Sequence, residues 1–179
     1  MARTAARGAR PLLARLSAVE LAVGFALLGS ILAVAIPTFA RDIHASRTVE
    51  PVDGLVRIGA SAVEYARTRA VGEAFPAPAP LTPGVAPRGV CAVDPPGTWD
   101  QPTWIALAFT PAPEGAPHCF AFEFDSHLAA SSSTFVAQAH GDLDGDGLPS
   151  TFEIHGHAVD HDPRGPAVDS GMFIDSEVE

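Results

Sequence analysis

The sequence predicts an α+β protein in which a long N-terminal helix, first membrane-spanning and then amphipathic, packs on a small antiparallel β-sheet. Three patterns carry that expectation. Between Glu20 and Arg41 no residue is charged. A helical apolar stripe follows over residues 52–70. Beyond residue 100, three strand-like runs are joined by links of hairpin length.

Composition bounds the rest. The 179 residues suffice for one domain plus appendages. All eleven basic residues are Arg, against 21 acids, and the formal net charge is −10. Nucleic-acid binding wants a basic face and is not inferred. General attachment to anionic lipid is disfavoured for the same reason. With 47% hydrophobic residues, the chain is too apolar for simple disorder. Arg3, Arg7, Arg10 and Arg15 precede the apolar run, whereas from Gly89 onward Arg164 is the only basic residue. Two ends so different in charge belong in different environments.

Residues 1–15 read as a basic leader and 16–40 as a transmembrane helix. Twenty apolar residues at 1.5 Å rise span about 30 Å, the thickness of a hydrocarbon core. The Arg cluster in front places the N-terminus in the cytoplasm and the rest outside, in an oxidising space if the membrane is a bacterial inner membrane. A cleaved secretory signal is the alternative, with Ala33-Val34-Ala35 as its small-residue site. Its apolar core would be long, and a signal has no use for Glu20. An acid in an apolar run costs a few kcal/mol unless it is interfacial or paired.

Glu20, Gly29 and Pro37, with Phe39 just after, keep the spacing of one known family. The segment resembles the N-terminal helix of type IV pilins and pseudopilins, and the match continues through Glu50 and Leu55 to Tyr65. The resemblance implies a mature chain beginning at Leu16. It also implies assembly with copies of itself or related pilin subunits, an inner-membrane assembly machinery, and processing by prepilin peptidase. Glu20 would then pair with the free N-terminal amine of a neighbouring subunit. Two positions depart from the pattern: Arg15 stands where the peptidase normally meets Gly, and Leu16 where the family has Phe.

Pro37 lacks an N–H and predicts a kink or break. Residues 41–73 then read as the amphipathic helix. Val52, Val56, Gly59, Val63, Ala66 and Ala70 form its core-facing stripe, widened by Leu55, Ile58 and Ala62. Residues 74–98, with Phe75-Pro76-Ala77-Pro78-Ala79-Pro80 and further prolines, read as a stiff loop with polyproline character. Residues 99–162 form the expected β head, with strands at 104–110, 119–125 and 134–140. The third strand runs into a GDLDGDG turn, which resembles pilin-like proteins of the delta-proteobacterial type. Residues 163–179 read as a poorly ordered acidic tail.

Cys91 and Cys119 are the only cysteines, and outside the cytoplasm an even pair predicts one disulfide. The alternative is two buried free thiols. The acidic loop carries the sharpest chemistry. Calcium takes six to eight hard oxygens, and a twelve-residue EF-hand-type loop supplies them from positions 1, 3, 5, 7, 9 and 12. Here those are Asp142, Asp144, Asp146, the Leu148 carbonyl, Ser150 and Glu153, with Gly147 at the turn. A strand leads in, so this is no helix–loop–helix unit. Ser150-x-x-Glu153 also reads as a capping box for a short helix. A plain Asp/Gly turn with solvated acids is the third reading. His155-Gly156-His157 and Asp160-His161-Asp162 hold zinc-type donors, but the local Gly and the lack of Cys point to a polar surface strand and tail.

No H-E-x-x-H, G-x-S-x-G or P-loop is present, so the chain is not read as an enzyme. The expected function is a pilin-like or pseudopilin subunit, single-pass in the inner membrane with its head outside the cytoplasm. The alternatives are an anchored extracytoplasmic calcium-binding module that does not polymerise and an anchored hydrolase.

Overall fold

The computed structural model describes residues 17–175, with the backbone alone for 38–47. The basic leader, Arg15 and Leu16 lie outside the described residues. The chain divides into two units, residues 1–43 and 44–179.

Helix α1 runs Ala18–Arg47. Its start is a capping box. The Ser17 N–H and hydroxyl donate to Glu20 Oε2 at 2.7 and 2.8 Å, and the Glu20 N–H returns a bond to Ser17 Oγ at 3.3 Å. Pro37 sits inside the helix, which continues past it. Every described side chain from Ser17 to Pro37 is exposed, Phe25 by 72%. A helix apolar all round needs an apolar environment. Residues 18–37 are the only such helix among those described that is long and apolar enough to cross a membrane.

The second helical signal is a separate element. Thr48 forms a turn, and α2 spans Val49–Arg67, so the helical run ends short of residue 73. The expected stripe is also rotated. The buried face is Gly54, Leu55, Ile58, Gly59, Ala62 and Ala66, while Val52 and Val56 are exposed. Glycines cause the shift. A Cβ on Gly54 would lie 2.6 Å from the Phe122 ring, and one on Gly59 would lie 3.0 Å from Ile154 and Val168. The helix approaches the sheet where it has no side chains, and of the two glycines the apolar stripe includes Gly59 but not Gly54.

Six strands form one sheet, with β1 (Ala79–Thr82), β2 (Ala121–His127), β3 (Ser132–Gly141), β4 (Ser150–Val159) and β5 (Ala167–Val168) in order. A sixth, β6 (Phe173–Asp175), also pairs with β4. All pairs are antiparallel, and β2–β3–β4 is a meander. The inner face carries Phe122, Phe124, Phe135, Phe152 and Ile154. Phe124 stacks on Phe135 with ring centres 5.4 Å apart.

Three expectations are corrected. Residues 104–110 are not a strand. Pro102–Ala106 is a short helix, α3, with Pro102 in its first turn. Trp104 and Leu107, three apart, are both fully buried, and the Trp104 Nε1–H donates to Thr82 Oγ1 at 3.1 Å. The Pro-rich segment contains edge strand β1, and Pro80 is tolerated there because an edge leaves one side of the strand unpaired. The acidic tail returns to the sheet as β5 and β6, because β4 has a free side for them to pair with.

Glu50, in the first turn of α2, ties the helix to the start of β2. Its Oε1 accepts the Cys119 and Phe120 N–H groups at 2.9 and 3.0 Å. Burial pushes its carboxyl above the ordinary value, against the pull of those two bonds and of the His118 charge.

Candidate functional site

The β3–β4 connection, residues 142–149, is built by its own acids. Asp142 is 3% exposed and caps the turn from inside. Its Oδ1 accepts the Gly145 N–H at 2.7 Å and its Oδ2 the Gly147 N–H at 3.0 Å. Asp144 Oδ1 accepts the Asp146 N–H at 3.0 Å, and Asp146 Oδ1 the Leu148 N–H at 2.7 Å. Gly145 and Gly147 have φ of +82° and +95°, so these two positions favour glycine. The loop also holds a neighbour: the Gly89 N–H donates to the Asp142 carbonyl at 2.7 Å, and Arg88 Nε lies 3.9 Å from Asp142 Oδ2.

Asp142, Asp144 and Asp146 each present a carboxylate oxygen within 4.8 Å of the other two, close enough to hold one metal ion. Of the other predicted ligands, Ser150 and Glu153 are engaged elsewhere. Leu148 is expected to act through its carbonyl, and its side chain is exposed. The Ser150 hydroxyl is buried and donates to the Gly141 carbonyl at 2.9 Å. Glu153 stands on the outer face of β4, where it accepts from Gln138 Nε2 and meets His155 Nε2 at 2.5 Å. The short helix that the capping box suggested is strand β4 instead, because residues 150–159 pair along their whole length with β3.

Cys91 and Cys119 are joined as a disulfide, Cα atoms 4.2 Å apart. Beside it, Ala92 and His118 exchange two backbone hydrogen bonds of 2.9 Å. A groove of about 620 Å³ opens here between residues 93–100 and 110–118. Half-buried in its wall, Asp94 Oδ2 accepts the Trp99 Nε1–H at 2.6 Å and meets His118 Nε2 at 2.6 Å. His118 Nδ1 bonds the Phe120 carbonyl at 2.7 Å. Sequence reading missed this trio, because Asp94 and His118 are 24 residues apart and meet only when the loop between Cys91 and Cys119 folds. Asp94 and His118 are each already engaged.

Along α1, Glu20 lies in the first turn, Gly29 mid-helix and Pro37 further on. A Cβ on Gly29 would meet nothing within 4 Å, so no packing among the described residues calls for glycine there. The chain matches no family model, no curated protein and no solved structure.

Proposed function

We propose that the chain is a pilin-like subunit. Its apolar helix anchors in the inner membrane with the N-terminus cytoplasmic, and packs with copies or relatives of itself, while the α+β head stands outside the cytoplasm. The observation that carries this reading is α1. Its described side chains from Ser17 to Pro37 are apolar almost throughout and exposed. The same stretch carries an acid in its first turn and a glycine that no contact among the described residues requires. A bare anchor needs neither, whereas a neighbouring subunit's amine and a close neighbouring helix use both.

The capping box offers a clean test. Glu20→Gln keeps an oxygen for the Ser17 N–H, so the helix start survives, but it removes the charge. Incorporation into sheared surface filaments should fall at least tenfold, with membrane insertion unchanged. Incorporation at the native level would leave Glu20 as a helix cap alone. Intact mass of the membrane-extracted chain tests the wider reading: a start at Leu16 is expected, and a start near Ile36 would make the segment a cleaved signal.

Within the head, we propose that the acidic turn takes calcium. Three carboxylates crowded into five residues repel one another, and a divalent ion converts that repulsion into attraction. Asp142, Asp144 and Asp146 supply hard oxygens, the Leu148 carbonyl and water completing the shell. Calcium at a hundred times its dissociation constant stabilises by about 2.7 kcal/mol. The chain in detergent should therefore melt several degrees higher in calcium than in chelator, with a smaller gain from magnesium. Asp144→Asn with Asp146→Asn should abolish the difference. Equal melting of the native chain in both solutions would make the loop a plain turn.

A further inference from the structure

We propose that the solvent face of β4 holds a second, chemically different metal ion. It would be a divalent transition metal of the zinc type, bound by His155 and His157 with Glu153 as third ligand and Asp169 positioning His157.

The placement follows from Gly156. That residue faces inward, where any Cβ would overlap the Phe135 ring. His155 and His157 on either side of it therefore both face outward, about 6.8 Å apart along the strand. Two imidazoles at that spacing on one face can converge on an ion about 2.0–2.1 Å from each nitrogen. In sequence the intervening glycine looks like a loop signal; in the sheet it is the reason the two rings share a face.

Each donor has its own support. His157 Nδ1 lies 2.6 Å from Asp169 Oδ1, which holds the proton on Nδ1 and leaves the Nε2 lone pair for a ligand. A carboxylate behind a ligating histidine is the usual outer partner of a zinc site. Asp169 is itself fixed, since its N–H donates to the His155 carbonyl at 2.8 Å. His155 Nε2 and Glu153 Oε1 are 2.5 Å apart. An ion inserted between them takes both atoms as ligands. The other Glu153 oxygen is held by Gln138 from β3, directly across the ladder. Glu153, His155 and His157 are not among the donors that already lie within 4.8 Å of one another, so the exposed His155 side chain must swing toward His157, which Asp169 holds in place, to close the site. Two nitrogens and one oxygen, with water in the fourth position, suit zinc; calcium takes the all-oxygen turn. The inference stands on β4 alone and does not depend on the pilin reading.

The test uses the full chain in detergent, stripped of metal and held in excess calcium so that the acidic turn is occupied. Zinc chloride is titrated by calorimetry, and cobalt chloride by its visible absorption. One zinc per chain is expected, with a cobalt spectrum of tetrahedral intensity. His155→Gln with His157→Gln should weaken zinc at least a hundredfold without changing the metal-free melting temperature. Asp169→Asn should weaken it about 10–100-fold, and Asp144→Asn with Asp146→Asn should leave it unchanged. Failure of the native chain to bind zinc would overturn the proposal, as would native affinity in the double-histidine variant. Loss of zinc in the Asp144/Asp146 variant instead would assign the ion to the acidic turn.

Discussion

Replacing Cys91 and Cys119 together by alanine should lower the stability of the head by about 3–4 kcal/mol, the loop-closure entropy of a crosslink of this span. The two cysteines are 28 residues apart, and the segment between them carries α3, Trp99, Trp104 and the groove wall. Freed at one end, that segment regains its conformational freedom chiefly in the unfolded chain. Folded contacts such as the paired bonds between Ala92 and His118 need not change. Urea denaturation of the oxidised native chain, the reduced native chain and the double variant reads this directly. The last two should share one midpoint, well below the first, and reductant should not move the variant. Equal midpoints for all three would mean that the crosslink does not stabilise the fold. Thiol alkylation after denaturation without reductant checks the bond itself, since neither cysteine should react.

Glu50→Ala should cost a comparable amount by another route. It strips the acceptor from the N–H groups of Cys119 and Phe120, residues 6% and 0% exposed. Each orphaned buried donor costs roughly 1–3 kcal/mol. Glu50→Gln keeps a carbonyl for both bonds and should lose far less. The pair of variants also exposes a pH effect. Burial is the largest influence on Glu50 and raises its pKa in the folded protein above the ordinary value of 4.5; the two N–H bonds and the His118 charge oppose it. The folded carboxyl therefore binds its proton more tightly than the unfolded one. This contribution is fully present below pH 4.5 and is lost as pH rises through the folded value. Between those limits the native chain should lose stability relative to Glu50→Gln as pH rises. Parallel melting curves across that window, or a difference of opposite sign, would contradict the assignment.

Legibility followed the range of the interactions. The helix at 18–37 could be read because apolar length is a local property. The Phe120, Phe122 and Phe124 alternation and the strand around Phe135 could be read for the same reason. The Asp142, Asp144 and Asp146 cluster was visible because a turn of this kind carries its own donors and acceptors. Elements fixed by distant partners were not visible. Residues 104–110 look like a strand until Thr82 and the aromatic cluster claim Trp104 and Leu107 on one side of a helical turn. On α2 the pattern marks Leu55, Ile58, Gly59, Ala62 and Ala66, which are buried, but it also marks the exposed Val52 and Val56 and passes over Gly54, which meets the Phe122 ring. The tail strands β5 and β6 are two and three residues long, too short to carry a pattern. The His155 and His157 pair was seen, but its outward alignment depends on Phe135, twenty residues earlier.

The two margins of the sheet bear on how crowded heads would behave. On one side the last strand is four residues long and contains a proline, which has no N–H to offer. On the other, β4 is already taken twice, by β5 opposite Gly156 and His157 and by β6 opposite residues 151–153. An exposed ladder is a template for fusion between molecules, and short, proline-bearing or covered borders suppress it. Heads displayed side by side at high local density would therefore resist strand exchange and amyloid-like stacking. Any lateral cohesion between them would come from side chains, and so would remain reversible.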